Sequence, residues 1–269
     1  VKNVIDELSI AKQKYKLRYI RFFDESLGSN KEWLKVFSGE YKSSIGLPFI
    51  CYMHPAHVSS ESLGYLKDAG CCEIEIGVQS GVEKIRRELL NRNMSNQTIK
   101  EAINLIKGKK ISVITDNIFG LPGEGRENAL NLALFYNRNR VNRIYFFWLR
   151  FYPRIAISEW ARKNMKVSAS EYEQIMEGKN GRPFSCGGNM NSRDLMRQQL
   201  LFFILPFSPA FIFELIIKSK IYRIVPFVFR PGILAMFTSL FSSSLNDKIV
   251  HKRFVRHYVY SIRKFLRKM

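Results

Sequence analysis

Cysteine is scarce in this sequence: four residues in 269, at positions 51, 71, 72 and 186. That is too few for the disulfide framework of a small secreted scaffold, so a reducing compartment, the cytoplasm, is expected. Acidic side chains are also short, 23 against 43 Lys and Arg, which leaves a formal charge of +20 and calls for an anionic partner. No uninterrupted apolar run reaches the roughly 20 residues that cross a bilayer. The longest apolar stretch, Leu200 to Ile217, is broken by Pro206, Ser208, Pro209 and Glu214. There is no initiator Met, no signal-peptide pattern and no low-complexity tract. Generally disordered, collagen-like and multispanning membrane proteins are thereby excluded, and the chain has the length for one sizeable α/β domain with an appendage.

The charge is uneven. Residues 1–180 carry 28 basic and 20 acidic side chains, residues 181–269 carry 15 and 3. Three regions are expected: an α/β unit over 1–165, a Gly-rich linker over 166–190, densest at Gly178–Gly188, and a basic, apolar helical extension over 191–269.

Within 1–165, helical and strand patterns alternate. Strands are expected at Leu17–Phe23, Pro48–Met53, Glu73–Val78, Ile111–Phe119 and Arg143–Phe151. Helices are expected over residues 1–15, around Trp33 to Phe37, and at Ser60–Ala69, stopped by Gly70. Three more follow at Val82–Leu90, at Asn96–Lys107 with Ser95 as N-cap, and at Arg126–Arg138. Strands joined by such helices imply right-handed βαβ units and a parallel sheet, whose ligands bind at the carboxyl ends of the strands. Those ends carry Asp24-Glu25-Ser26, then His54 and His57, then Glu75, Gln79, Ser80 and Gly81, then Gly120-Leu-Pro-Gly-Glu124. Carboxylates accept from ammonium groups and ribose hydroxyls, so a polar, nucleoside-like ligand is implied. Glu75 lies within an apolar strand, where an ionised side chain needs a partner. Cys51-x2-His54-x2-His57 has ligand-type residues but lacks a carboxylate or a second cluster, so no metal site is assigned.

Four segments then stand together. Phe22-Phe-Asp-Glu25, Asp68-Ala-Gly-Cys-Cys-Glu-Ile-Glu-Ile-Gly-Val-Gln-Ser-Gly81, Leu90-Asn-Arg-Asn-Met94 and Asp116-Asn-Ile-Phe-Gly-Leu-Pro-Gly-Glu124 resemble, in order and spacing, the later half of a radical S-adenosylmethionine (SAM) enzyme barrel. The resemblance covers residues 1 to about 165 and is to the cobalamin-binding radical SAM group and the related methylthiotransferases. It implies a partial (β/α)6 barrel, strands 2–6, followed by the α-helical extension. It implies SAM, with Asp24 and Glu25 near its ammonium, Glu75 and Ser80 near the ribose, Gly120, Leu121, Pro122 and Gly123 near the adenine, and Gln79 also among the cofactor-binding residues. It further implies a [4Fe-4S] cluster, with or without cobalamin, and radical methyl transfer or rearrangement. The family's Cys-x3-Cys-x2-Cys run is absent from this sequence, so the first strand, the cluster loop and any cobalamin domain are expected upstream of Val1. The alternatives are a non-catalytic barrel remnant acting as a binding module and an RNA-modifying methylthiotransferase relative. Residues 200–269 mix Lys and Arg with aromatic side chains, which suits an anionic membrane surface at its inner face, and suits nucleic acid less well. A helical cap over the barrel is the plainer expectation for the same segment.

Overall fold

The computed structural model describes residues 1–164, 166–179 and 192–224, together with Leu245. The extreme Gly-rich stretch, Cys186 and nearly all of the basic tail after Ile224 lie outside the described residues.

Five parallel strands form one sheet in the order β1-β2-β3-β4-β5: β1 Ile20–Arg21, β2 Phe49–Met53, β3 Cys71–Gln79, β4 Ser112–Phe119 and β5 Arg143–Trp148. A helix precedes β1 (α1, Lys2–Lys14), and others cross between successive strands: α2 Lys31–Ser44, α3 Ser60–Ala69, α4 Glu83–Glu88 with α5 Asn96–Gly108, and α6 Arg126–Arg138. After β5 come α7 Ala156–Lys163, α8 Ala169–Met176, α9 Ser192–Ile204 and α10 Ala210–Ser219. This is the parallel sheet that the alternating pattern predicts, and it curves as the half-barrel that the resemblance implies.

Local chemistry sets most boundaries. Side chains of Asn30, Ser59 and Ser95 accept from the backbone N–H groups of Trp33, Ser62 and Thr98, satisfying donors that the first helical turn leaves open. Gly70 ends α3 at φ 102°, a left-handed conformation that suits a residue without Cβ. Two strands are shorter than their apolar runs. β1 is an edge with one neighbour, so only its Ile20 and Phe22 amides enter the ladder, on Pro48 and Ile50 carbonyls. β5 makes one further bond, Leu149 to Phe119, before the chain turns ahead of Pro153. Helix α8 lies inside the 166–190 span read as linker; Ser168 and Glu171 cap it reciprocally, and Tyr172 and Ile175 anchor it.

The two faces of the sheet differ in chemistry. Paired residues of neighbouring parallel strands share a face, and alternate residues along a strand take opposite faces. One face carries Phe49, Cys51, Met53, Ile74, Ile76, Val78, Val113 and Ile144, all buried in the main core with Leu34, Phe37, Tyr41, Ile103 and Tyr136 from the helices. The register places Arg21, Tyr52, Glu73, Glu75, Gly77, Asp116, Arg143 and Tyr145 together on the opposite, inner face, with Ile50 and Ile114 among them. A packed barrel interior is made of branched apolar residues. This one carries charged side chains among its isoleucines, and buried charge costs folding energy unless it is paired or hydrogen-bonded, as Glu75 is by Arg21.

The start of the extension belongs to the same core. Leu201, Phe202, Leu205 and Phe213 are buried with the sheet residues, and Asn137 of α6 donates to the Leu205 and Ser208 carbonyls at 2.8 Å each. Residues 192–224 therefore cap the outer helical layer beside α6 and β5. No helix among the described residues is long and apolar enough to cross a membrane.

Candidate functional site

At the carboxyl ends of β1 to β4 a cavity of about 430 Å³ is lined by Glu25, Ser26, Tyr52, Met53, His54, His57, Glu75, Gly77, Gln79, Arg92 and Asp116. That volume lies in the range of small-molecule and cofactor sites.

Its floor is acidic. Glu75, nearly inaccessible to solvent, pairs with the Arg21 guanidinium, which also donates to the Tyr52 hydroxyl at 2.7 Å. Asp116 on β4 lies against Glu75 from the neighbouring strand. Burial, and then the hydrogen bond and charge of Asp116, push the Glu75 carboxyl well above the usual carboxylate range, and burial pushes Asp116 up as well. Two buried carboxyl groups against one guanidinium retain a proton between them. The Asp116 Oδ1 atom is buried with no hydrogen-bond partner among the described residues. The floor thus offers both a donor and acceptors to a pair of neighbouring hydroxyls.

The walls supply opposite charge. Arg92, in the loop before α5, donates to the Gly77 carbonyl at 3.0 Å, while its Nε is buried without a partner among the described residues. Gly77 permits this approach, because a Cβ there would stand 2.9 Å from Gln79 Nε2 and 3.3 Å from an Arg92 nitrogen. The ladder slips between Gly77 and Gln79, and Gln79 takes φ 68°; this bulge brings the Gln79 side chain to the cavity. At the mouth, Ser26 accepts from the His54 amide at 3.1 Å and meets His57 Nδ1 at 3.0 Å. His54 Nδ1 accepts from the Ala56 amide, and burial followed by the Arg92 charge lowers the His54 pKa, so its neutral form carries the proton on Nε2.

The structure brings Glu25, Glu75 and Gln79, all expected from sequence, to this one cavity. Asp24 is exposed beside it and does not line it. Ser80 points elsewhere: its hydroxyl donates to Glu124 and accepts from the Val82 amide at 3.1 Å. The turn of Gly120, Leu121, Pro122 and Gly123 follows β4 with both glycines at positive φ, held by Leu121, which is buried in a second apolar cluster with Leu149, Phe151 and Tyr172. Arg21, Tyr52, Arg92 and Asp116 complete the site and were not singled out from sequence. Only Asp116 carried a signal, as a carboxylate within an apolar strand.

The described cysteines, Cys51, Cys71 and Cys72, do not line the cavity. Cys51 and Cys71 are buried on the helix-covered face with sulfurs 3.9 Å apart, and burial raises the thiol pKa of Cys71 and, to about 12, of Cys72. Among the described residues no three His, Cys, Asp or Glu side chains meet to hold a metal, so Cys51, His54 and His57 do not converge.

The Radical SAM superfamily matches residues 1–136. The chain belongs to this superfamily. A radical SAM methyltransferase, TsrM from Kitasatospora setae, solved with cobalamin and a [4Fe-4S] cluster, shares the fold: TM-score 0.53 and 17% identity over 61% of this chain and 34% of that one. Coproporphyrinogen III oxidase (HemN) from Escherichia coli, a radical SAM enzyme, superposes with TM-score 0.52 and 14% identity over 76% of this chain and 45% of its own. An uncharacterized methyltransferase from Pyrococcus horikoshii is 23% identical over 165 residues, 61% of this chain and 36% of that protein. The chain thus spans about a third to under half of the length of these relatives.

Glu124 adds a titration outside the cavity. Burial pushes its carboxyl up to about 7, opposed by the Ser80 hydroxyl. A carboxyl raised in the folded state stabilises fully below its unfolded pKa, and that contribution is lost as pH rises through the folded value. Glu124→Gln is therefore expected to flatten the fall in stability between about pH 4.5 and 7, read from urea midpoints at each pH. An unchanged profile would place the titrating group elsewhere.

Proposed function

We propose that this chain forms the SAM-binding face of a radical SAM enzyme, with methyl transfer as its reaction class. The observation that carries the reading is the convergence of Glu25, Gln79, Glu75, Asp116 and Arg92 on one cavity at the strand ends. Methyl transfer is supported by two of the relatives being methyltransferases, one of them solved with cobalamin. Cobalamin is accordingly part of this proposal, with rearrangement as the other radical outcome.

The donor set fits SAM group by group. The Glu75 and Asp116 pair, with its shared proton and the unpartnered Asp116 Oδ1, suits the ribose diol. The Arg92 fork, with its free Nε, suits the carboxylate of the methionyl part. Glu25 at the mouth suits its ammonium, with Asp24 adding negative potential beside it. The Gly120–Gly123 turn is left to the adenine, and Ser80 is proposed to act through the Glu124 contact that steadies this turn. When bound with a reduced [4Fe-4S] cluster, SAM supplies radical or methyl-donor chemistry. Among the described cysteines, Cys51 and Cys71 are sealed under the helices, and the sequence holds no Cys-x3-Cys-x2-Cys run, so these residues do not fit that cluster. The second reading is a barrel that binds SAM without cleaving it. Iron and sulfide content after anaerobic reconstitution separates the two.

Arg92→Ala is expected to weaken SAM binding by about tenfold to a hundredfold, the worth of a charged hydrogen-bonded pair. Binding of 5′-methylthioadenosine, which lacks the aminocarboxylate, should change little. Equal losses for both ligands in calorimetric titrations would remove Arg92 from the carboxylate position.

A further inference from the structure

Beyond the strand-end cavity, the outer helical layer carries an apolar ridge. On α10, Phe211 is 74% exposed and Leu215 64%, one helical turn apart on the same side, with Ile212 exposed beside them. Phe207, 40% exposed, lies in the turn before Pro209 that leads into the helix, and Ile221 and Ile224 follow the helix end at 55% and 79% exposure. The opposite side of α10 is spoken for, because Phe213 is fully buried in the main core.

The ridge is bordered by cations. Lys218 and Lys220 are exposed at the end of α10, and Arg223 lies in the turn after it. Arg140 reaches the Ser208 carbonyl at 3.3 Å, which sets it beside Phe207. Glu214 is the one carboxylate on α10, and Arg138 holds it at 2.8 Å, pulling its pKa down. The border therefore stays cationic after its internal pairing.

We propose that the α10 ridge is a peripheral docking surface for an anionic lipid bilayer. Protruding Phe, Leu and Ile side chains with Lys and Arg alongside combine the two terms that bind a surface helix to such a membrane: apolar insertion at the acyl boundary and attraction to negative headgroups. Charge decides among the possible occupants. The remaining chain, residues 225–269, holds nine basic residues and one acidic, eight of the nine beyond Asp247, so it supplies no anionic counterpart to this border. A second copy of the same face supplies none either. Nucleic acid would neutralise the cations but offers no apolar phase for Leu215, Ile221 and Ile224. The ridge is on the outer helical layer, away from the cavity, so this inference stands independently of the SAM reading.

The test uses the full chain and sedimentation with vesicles of phosphatidylglycerol and phosphatidylcholine in varied ratio. Binding is expected to rise with the anionic fraction and to fall with salt. Phe211→Ser with Leu215→Ser should lower partitioning at least tenfold, and Lys218→Gln with Lys220→Gln should lower it about twenty-five-fold, about fivefold for each cation near the surface. Circular dichroism should show each variant folded. Three outcomes overturn the proposal: equal binding to neutral vesicles, vesicle binding untouched by the ridge substitutions, or ridge substitutions that expose residues 225–269 to protease while leaving vesicle binding intact. The last would make the tail the occupant.

Discussion

Arg86→Met is expected to cost about 3–5 kcal/mol of unfolding free energy, enough to remove much of the stability of an ordinary domain. Arg86 is fully buried on α4. Its guanidinium donates to the Ser80 carbonyl at 2.6 Å, to the Met94 carbonyl at 3.0 and 3.2 Å, and to the Asn96 side-chain oxygen at 2.7 Å. Its own carbonyl accepts from the Arg92 amide at 2.7 Å. One side chain thus ties the end of β3 to the loop that enters α5, and that loop carries Arg92. Methionine fills similar volume but leaves the Ser80 and Met94 carbonyls buried without this donor, each costing about 1–3 kcal/mol, while the exposed Asn96 can turn to water. Lysine keeps the charge and loses the fork, so Arg86→Lys should recover only part of the loss. Urea unfolding followed by circular dichroism reads both variants; a loss below about 1 kcal/mol for Arg86→Met would show that water or rearrangement replaces the network.

The second large effect is a fall in stability as pH rises. Glu75 titrates near 4.5 when unfolded but holds its proton toward about 9 in the folded chain, through burial and the adjoining Asp116, which is itself raised. The folded state therefore binds more protons than the unfolded state across that interval. Stability from this pair is complete below the unfolded carboxylate range and drains as pH climbs, at up to about 1.4 kcal/mol per pH unit for each extra proton. Arg21 opposes the trend by favouring ionised Glu75, but it cannot satisfy both carboxylates. Glu75→Gln should flatten the profile above pH 7, the part that Glu124 does not reach, and urea midpoints measured from pH 5 to 9 check this. A profile that rises with pH, or one unaltered by the substitution, would contradict the shared proton.

Much of this was readable from local pattern. The side chains of Asn30, Ser59 and Ser95 and the glycine at 70 mark helix ends through chemistry confined to three or four residues, and the sheet follows from apolar runs spaced by helices. Glu75 stood out as a charge within such a run, and Gln79 and Glu25 as polar residues at strand ends. Arg21, Tyr52 and Arg92 could not be found this way. Their role depends on which residues face one another across strands and loops, and a ladder slip at Gly77 and Gln79 changes that facing without any mark in composition. Ser80 shows the converse. It has the right type and place along the chain, yet the hydroxyl turns to Glu124. Helix α8 was missed because its anchors, Tyr172 and Ile175, are sparse among charged neighbours and lead directly into the Gly-rich stretch.

The central claim is that the acidic inner face binds SAM. Calorimetric titration of SAM and of 5′-methylthioadenosine into the anaerobically reconstituted full-length protein tests it, with Glu75→Ala as the comparison. Both ligands keep the ribose, so both affinities should fall at least tenfold, with far-ultraviolet circular dichroism and any cluster absorbance unchanged. Undiminished affinity for both ligands in the folded variant would place the nucleoside elsewhere and contradict the account.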